Sequence, residues 1–190
     1  MDAFEKIQEY FSSYSPLSDE AKEAIIKEAE YKEYPPKTVL LSEGQVEKQL
    51  YFLNKGLVRG CFNMVDRAIT LWICYEPGPF GNPESFFNET PSDIYIETVE
   101  PSQILTISYQ RWHELLDQFP EIERASRMIS QSNVQRLYQR IMILHYGTPE
   151  EKYKYLLENE PQIIQRTPLK FIATYLNITP ETLSRIRAKI

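Results

Sequence analysis

Histidine and cysteine are scarce in this chain, with two of each in 190 residues. Cys61 and Cys74 fit no metal or redox spacing, and they fall short of the roughly four thiolates an iron–sulfur cluster needs, so both read as buried free thiols. Histidine is absent from residues 31–108, where the carboxylates are scattered among turns. That removes the two-histidine, one-carboxylate set of a non-haem oxygenase. His113 and His145 have no matching cysteine or carboxylate pattern, and His145 reads as a partner for a helix dipole. With no nucleophile–base pair and no glycine-rich phosphate loop, the chain is not expected to be an enzyme, nor to hold a metal. Long apolar runs are missing too. No stretch approaches 18 uninterrupted apolar residues, and Met1-Asp2-Ala3-Phe4-Glu5-Lys6 has neither the basic flank nor the apolar run of a signal peptide. A cytoplasmic chain with no membrane partner is expected.

What is present is ample core material: 42% of the residues are hydrophobic, enough for one large or two small domains. The net charge of −6 argues at first against nucleic acid, but it is unevenly spread. Residues 1–110 carry 9 basic and 18 acidic side chains, residues 111–147 carry 5 and 4, and residues 148–190 carry 7 and 5. Acidity is confined to the N-terminal part, while Arg185, Arg187 and Lys189 concentrate positive charge at the other end.

The pattern along the chain predicts an α+β fold. Helical periodicity covers residues 3–12 and 18–30, the second opened by Ser18-Asp19. Short apolar runs then alternate with turn signals over residues 31–108, which predicts an antiparallel double-stranded β-roll of the jelly-roll kind. Within it, residues 51–60 read as a hairpin turning at Asn54-Lys55-Gly56. Ser108 caps a helix to about Phe119, and Pro120 starts a longer one ending at Gly147. Ile122, Ala125, Ile129, Leu137, Ile141 and Leu144 form an apolar stripe on it, broken by Ser130, Ser132 and Asn133. That stripe fits burial on the protein's own roll or on a two-fold partner helix. Thr148-Pro149-Glu150-Glu151 opens a helix that packs through Tyr153, Leu156 and Leu157. The expected divisions are a β-roll sensor domain with its N-terminal helices (1–110), a helical linker and dimerisation helix (111–147), and a reading domain (148–190).

Residues 167–190 read as two short helices joined by a turn. Leu169, Ile172, Ala173 and Leu176 give the first helix an inward face. Ala173 permits close crossing, Asn177 accepts a left-handed helix end and Ile178 plugs the turn. Thr179 caps the second helix, Pro180 takes its first position, and Leu183, Ile186 and Ile190 point back. This leaves Glu181, Thr182, Arg185, Ala188 and Lys189 outward, as in a helix-turn-helix. The same spacing fits an ordinary helical hairpin in which Glu181 and Arg185 form a solvent-exposed i, i+4 pair.

Lys170-Phe-Ile-Ala-Thr-Tyr-Leu-Asn-Ile-Thr-Pro-Glu-Thr-Leu-Ser-Arg-Ile-Arg187 resembles the C-terminal DNA-binding motif of the Crp/Fnr superfamily of bacterial transcription regulators. Leu41-Ser-Glu-Gly-Gln45 and Leu50-Tyr-Phe-Leu-Asn-Lys-Gly-Leu-Val-Arg59 resemble turns of cyclic-nucleotide-binding-like rolls. The resemblance implies a homodimer, double-stranded DNA and RNA polymerase as partners, and Arg185 and Glu181 at base edges. Lys170, Thr179, Thr182 and Lys189 are then placed for phosphates. Superfamily members that bind cyclic AMP carry a Gly-Glu pair for the ribose and an Arg-Ser pair for the phosphate. The matching stretch, residues 80–94, has Asn82-Pro83 after Gly81, no arginine, and Asp93 near the arginine's place. A carboxylate there repels a phosphate, so cyclic AMP is not expected as a cofactor, although Glu84 remains a candidate for a ligand hydroxyl. Any other small-molecule effector is left open by the sequence. The chain also has no residues after Ile190 for a wing, so weaker and less salt-dependent DNA binding than in winged relatives is expected. The competing reading is a ligand- or protein-binding β-roll interaction module with a non-functional helix pair.

Overall fold

The computed structural model describes residues 3–65 and 67–189. Helices α1 (Ala3–Tyr14) and α2 (Asp19–Glu28) lead into eight strands: β1 (Glu30–Tyr34), β2 (Val39–Leu41), β3 (Gln49–Lys55), β4 (Leu57–Asn63), β5 (Ala68–Tyr75), β6 (Gly78–Phe80), β7 (Tyr95–Thr98) and β8 (Ser102–Ser108). A short helix, α3 (Pro83–Asn88), lies between β6 and β7. The strands form two antiparallel four-stranded sheets in the orders β1-β8-β3-β6 and β2-β7-β4-β5. The fold is α+β, with a roll as the sequence suggested.

The turn at Asn54-Lys55-Gly56 corrects the expected hairpin. β3 pairs with β8 and β6, whereas β4 pairs with β5 and β7, so this turn carries the chain from one sheet to the other. Gly56, at φ +118°, is the residue that needs glycine, since a Cβ there would run into Ser102. Tyr51 to Asn54 are buried on both faces of the strand, so no alternation signals which partner the strand takes.

α4 (Tyr109–Gln118) and α5 (Pro120–Tyr146) follow, α4 capped by the Ser108 hydroxyl, which accepts from the Arg111 amide. Ile7, Phe11, Phe52, Leu105, Trp112 and Leu115 form a core between the helices and the first sheet. Ile122, Ala125 and Ile129 belong to this core and have essentially no surface left for a second copy, which gives this half of the stripe to the protein's own fold rather than to a two-fold partner helix. Beyond Ile129 a different face of α5 carries the apolar residues. Val134, Leu137, Tyr138, Ile141 and Met142 are exposed, and Leu144 is half-buried. The reason is geometric: at about 100° per residue, the eight-residue step from Ile129 to Leu137 turns the stripe by roughly 80°.

The last four helices are α6 (Pro149–Asn159), α7 (Pro161–Arg166), α8 (Leu169–Tyr175) and α9 (Pro180–Arg187). α6 begins with a reciprocal capping box between Thr148 and Glu151. α7, which no pattern in the sequence announces, starts at Pro161 and contributes Ile163 to a core with Tyr153, Leu156, Ile172, Ala173, Leu176, Leu183 and Ile186. Burying each large apolar side chain contributes about 1.5–3 kcal/mol. Leu157 and Leu169 lie outside that core, contrary to expectation, and Ile190 is outside the described residues. The group sits on β5 of the roll, whose Ile73 and Tyr75 join its core. The Thr70 and Thr174 hydroxyls meet at 2.9 Å, and Arg166 donates to Glu76 and to the Gly56 carbonyl oxygen, each at 2.8 Å, and also to Glu100.

Candidate nucleic-acid interface

The start of α9 is built by its own sequence. The Thr179 hydroxyl accepts from the Thr182 amide at 3.2 Å and donates to the Thr182 hydroxyl at 3.1 Å, and Pro180 stands at the first helical turn. Leu183 and Ile186 face inward. Ala173 is completely buried where α8 passes beneath, and Asn177 turns the chain at φ +51°. Exposed beyond the cap are Glu181, Ser184, Arg185, Arg187, Ala188 and Lys189. The structure therefore brings Glu181, Arg185 and Lys189 to one solvent-facing side, with Thr182 half-buried at its edge. Lys170 is also exposed, but it stands on α8 with its ammonium 4.8 Å from the centre of the Phe171 ring. Ser184, a small polar residue with no signal of its own in the sequence, joins the face by its three-residue offset from Glu181.

Electrostatics suit an exposed reader. The Glu181 carboxyl is held below its usual range, first by its own backbone amide at the helix start and then by the Thr179 hydroxyl, so it accepts hydrogen bonds at neutral pH. The Arg185 guanidinium is exposed and donates to the Thr182 hydroxyl at 3.3 Å.

The corner of the roll formed by residues 81–93 is different. Asn82 is buried, and its side-chain oxygen accepts from the Glu84 and Ser85 amides at the start of α3. Its side-chain nitrogen donates to Ser92 Oγ at 2.9 Å and to Asp93 at 3.2 Å. Ser92 in turn donates to the Ile94 carbonyl oxygen at 2.7 Å. Above them lies Glu47, 2% exposed, whose carboxyl accepts from the Asn82 amide at 2.5 Å. Burial pushes that carboxyl up to about 8, the backbone hydrogen bond from Asn82 opposing the rise only in part. A Cβ on Gly81 would strike Glu47. Asp93 is thus a hydrogen-bond partner of Asn82, and Glu84 stands exposed at the rim.

The roll interior is similarly filled. Tyr51 stacks on Phe80 at 5.2 Å, Trp72 packs beside Phe80, and Gly60 leaves room for the Trp72 indole. Glu47 was invisible in the sequence because a glutamate in a loop reads as solvated; only the fold closes Gly81 and Asn82 over it.

Among the described residues no cluster of histidine, cysteine and carboxylates suits a metal ion, and no helix is long and apolar enough to cross a membrane. Residues 31–119 match the cyclic nucleotide-binding domain family. FixK2 from Bradyrhizobium japonicum has a similar structure, with a TM-score of 0.74 at 16% identity over 85% of this chain and 83% of that one. So does the c-di-GMP responsive global regulator CLP of Xanthomonas campestris, with a TM-score of 0.71 at 19% identity over 90% and 91%. The Thermus thermophilus catabolite activator protein follows at 0.58 and 16% identity over 93% and 84%. At such identities the likeness is one of fold. No curated protein sequence matches the chain.

Proposed function

We propose that this chain, which is Crp/Fnr-like in fold and carries a cyclic nucleotide-binding-type domain over residues 31–119, is a dimeric, sequence-specific DNA-binding transcription regulator that does not respond to cyclic AMP. The observation that carries this reading is the outer face of α9. Glu181, Ser184, Arg185 and Lys189 are exposed, while Leu183 and Ile186 anchor the helix from behind. An eight-residue helix is about 12 Å long, and the major groove is about 12 Å wide.

In that groove Arg185 donates in bidentate fashion to guanine O6 and N7, and Glu181 accepts from a cytosine amino group. Lys170, Lys189 and the hydroxyls of Thr179 and Thr182 reach flanking phosphates. Helix-turn-helix readers commonly engage two half-sites as dimers. The exposed face of Val134, Leu137, Tyr138, Ile141 and Met142 is where a second copy packs α5 against α5. The roll then serves as scaffold, since its corner is closed by Asn82, Ser92 and Glu47.

Selection of bound duplexes from a random pool tests the reading. A two-fold-symmetric motif is expected. Arg185→Ala should cost about 1–3 kcal/mol of specific binding and relax base preference at one position per half-site. Absence of any enriched sequence at low salt would instead favour a roll that binds another partner, with an idle helix pair.

A further inference from the structure

Two guanidinium groups grip α8, and they come from different parts of the chain. Phe171 and Tyr175 are one turn apart and share a face of that helix. Arg59 lies over the Phe171 ring, its central carbon 3.4 Å from the ring centre. It leaves β4 beside Val58, which points into the roll, so Arg59 emerges on the outer side of the sheet. There it is 5% exposed and fixed by Glu97 at 2.5 Å and by Thr70 at 2.9 Å. Arg140 lies over the Tyr175 ring at 3.5 Å and donates to the Tyr175 carbonyl oxygen at 3.0 Å. That oxygen is at the end of α8, where carbonyls lack partners within the helix. Arg140 projects from α5 toward the head, the group formed by α6 to α9, while Leu137 and Ile141 on the same helix are exposed. Between the two stacks, Thr174 bonds Thr70.

α9 rides on α8 through Ala173, Leu176, Leu183 and Ile186. Whatever fixes α8 to α5 and the roll therefore fixes where α9 points relative to the exposed face of α5. We propose that Arg59 and Arg140 determine half-site spacing: by clamping Phe171 and Tyr175 they set the separation and twist of the two α9 helices in the dimer, and hence the one spacing of paired half-sites the protein accepts. This rests on the DNA-reading function above. One base pair moves a half-site about 3.4 Å along the duplex and about 35° around it. A hinged head follows such a shift, whereas a clamped head does so only by breaking a stack.

The test uses the full chain and duplexes in which the two half-sites selected by the wild type are separated by every spacer up to about one helical turn. The wild type should favour one spacing by about tenfold or more over neighbours one base pair away, a margin of the size a desolvated cation–π contact provides. Arg140→Ala should cut that margin to about threefold or less while base preference within each half-site stays unchanged. Arg140→Lys should behave like Arg140→Ala, because an ammonium keeps the charge but not the planar stack. Removing Arg59 would strand Glu97, so Phe171→Leu probes that side without touching the ion pair. An unchanged spacing margin in the Arg140 variants overturns the assignment, as does loss of base preference together with spacing, which would make Arg140 a structural support of the head. If the wild type itself enriches no paired motif, the DNA-reading function has failed first.

Discussion

Asn82-Pro83-Glu84-Ser85 and Thr179-Pro180-Glu181-Thr182 open two helices with the same local grammar, a capping side chain followed by proline and glutamate. At α3 the cap is buried, and its free donors are taken by Ser92 and Asp93 while Glu47 covers its amide. At α9 the cap is exposed, and the charged residues beyond it, Glu181 and Arg185, meet solvent. Local sequence therefore specifies a helix start, but tertiary neighbours decide whether the polar groups there are available to a ligand. α3 lies in residues 80–94, the stretch that matches the cyclic-AMP-binding segment of other rolls, and its polar groups are spent on the protein itself. Those of α9 are left exposed.

The largest expected effect lies at the closed end. The Glu47 carboxyl has a folded-state pKa of about 8 against an ordinary value of 4.5. Between those values the folded chain keeps a proton that the unfolded chain has lost. Stability should therefore fall as pH rises from about 4.5 to 8, by at most about 1.4 kcal/mol per unit, and level off above 8. Glu47→Gln retains an acceptor for the Asn82 amide and removes the titration. Denaturant unfolding from pH 5 to 9 should show the slope in the wild type and not in the variant, which becomes the more stable protein near pH 8. Parallel curves for the two proteins would mean that the corner is open to water and the contrast with α9 is false.

A paired substitution sharpens the same contrast. Asn82→Ala removes a buried cap together with the amide that donates to Ser92 and Asp93, so a loss of about 2 kcal/mol is expected. Thr179→Ala removes an exposed cap whose amide water can take over, at about 1 kcal/mol. Thermal unfolding of the two variants should rank them in that order. Equal losses would show that burial adds nothing to the α3 cap.

Much of the fold was legible because it is written locally. Ser18, Ser108, Thr148 and Thr179 were readable as caps, and each hydroxyl accepts from the amide three residues on. The outward set Glu181, Thr182 and Arg185 followed from helical spacing alone, with Thr182 settling half-buried. Interactions between distant residues were not legible. The turn at Asn54 has hairpin chemistry, but which sheet β4 joins depends on β5 and β7. The α5 stripe reads as one seam, yet α1 and α4 claim its first half and leave the second bare. Arg59 looks like a surface charge in a strand until Phe171 closes over it.

Cyclic AMP carries the smallest expected effect, which is none. A ligand held only by the folded state raises stability by about 2.7 kcal/mol at a hundred times its dissociation constant, so even weak binding moves a melting curve at millimolar concentration. Here a phosphate would face Glu47 and Asp93 with no arginine in the segment, and it would have to displace the Asn82 contacts. The purine would compete with Trp72, Tyr51 and Phe80 for the roll interior. The melting temperature should stay fixed as the nucleotide is added, whereas a duplex carrying the selected motif should raise it under the same conditions. A concentration-dependent rise with cyclic AMP would show that the closed corner opens, and would place α3 beside α9 as a second site of recognition.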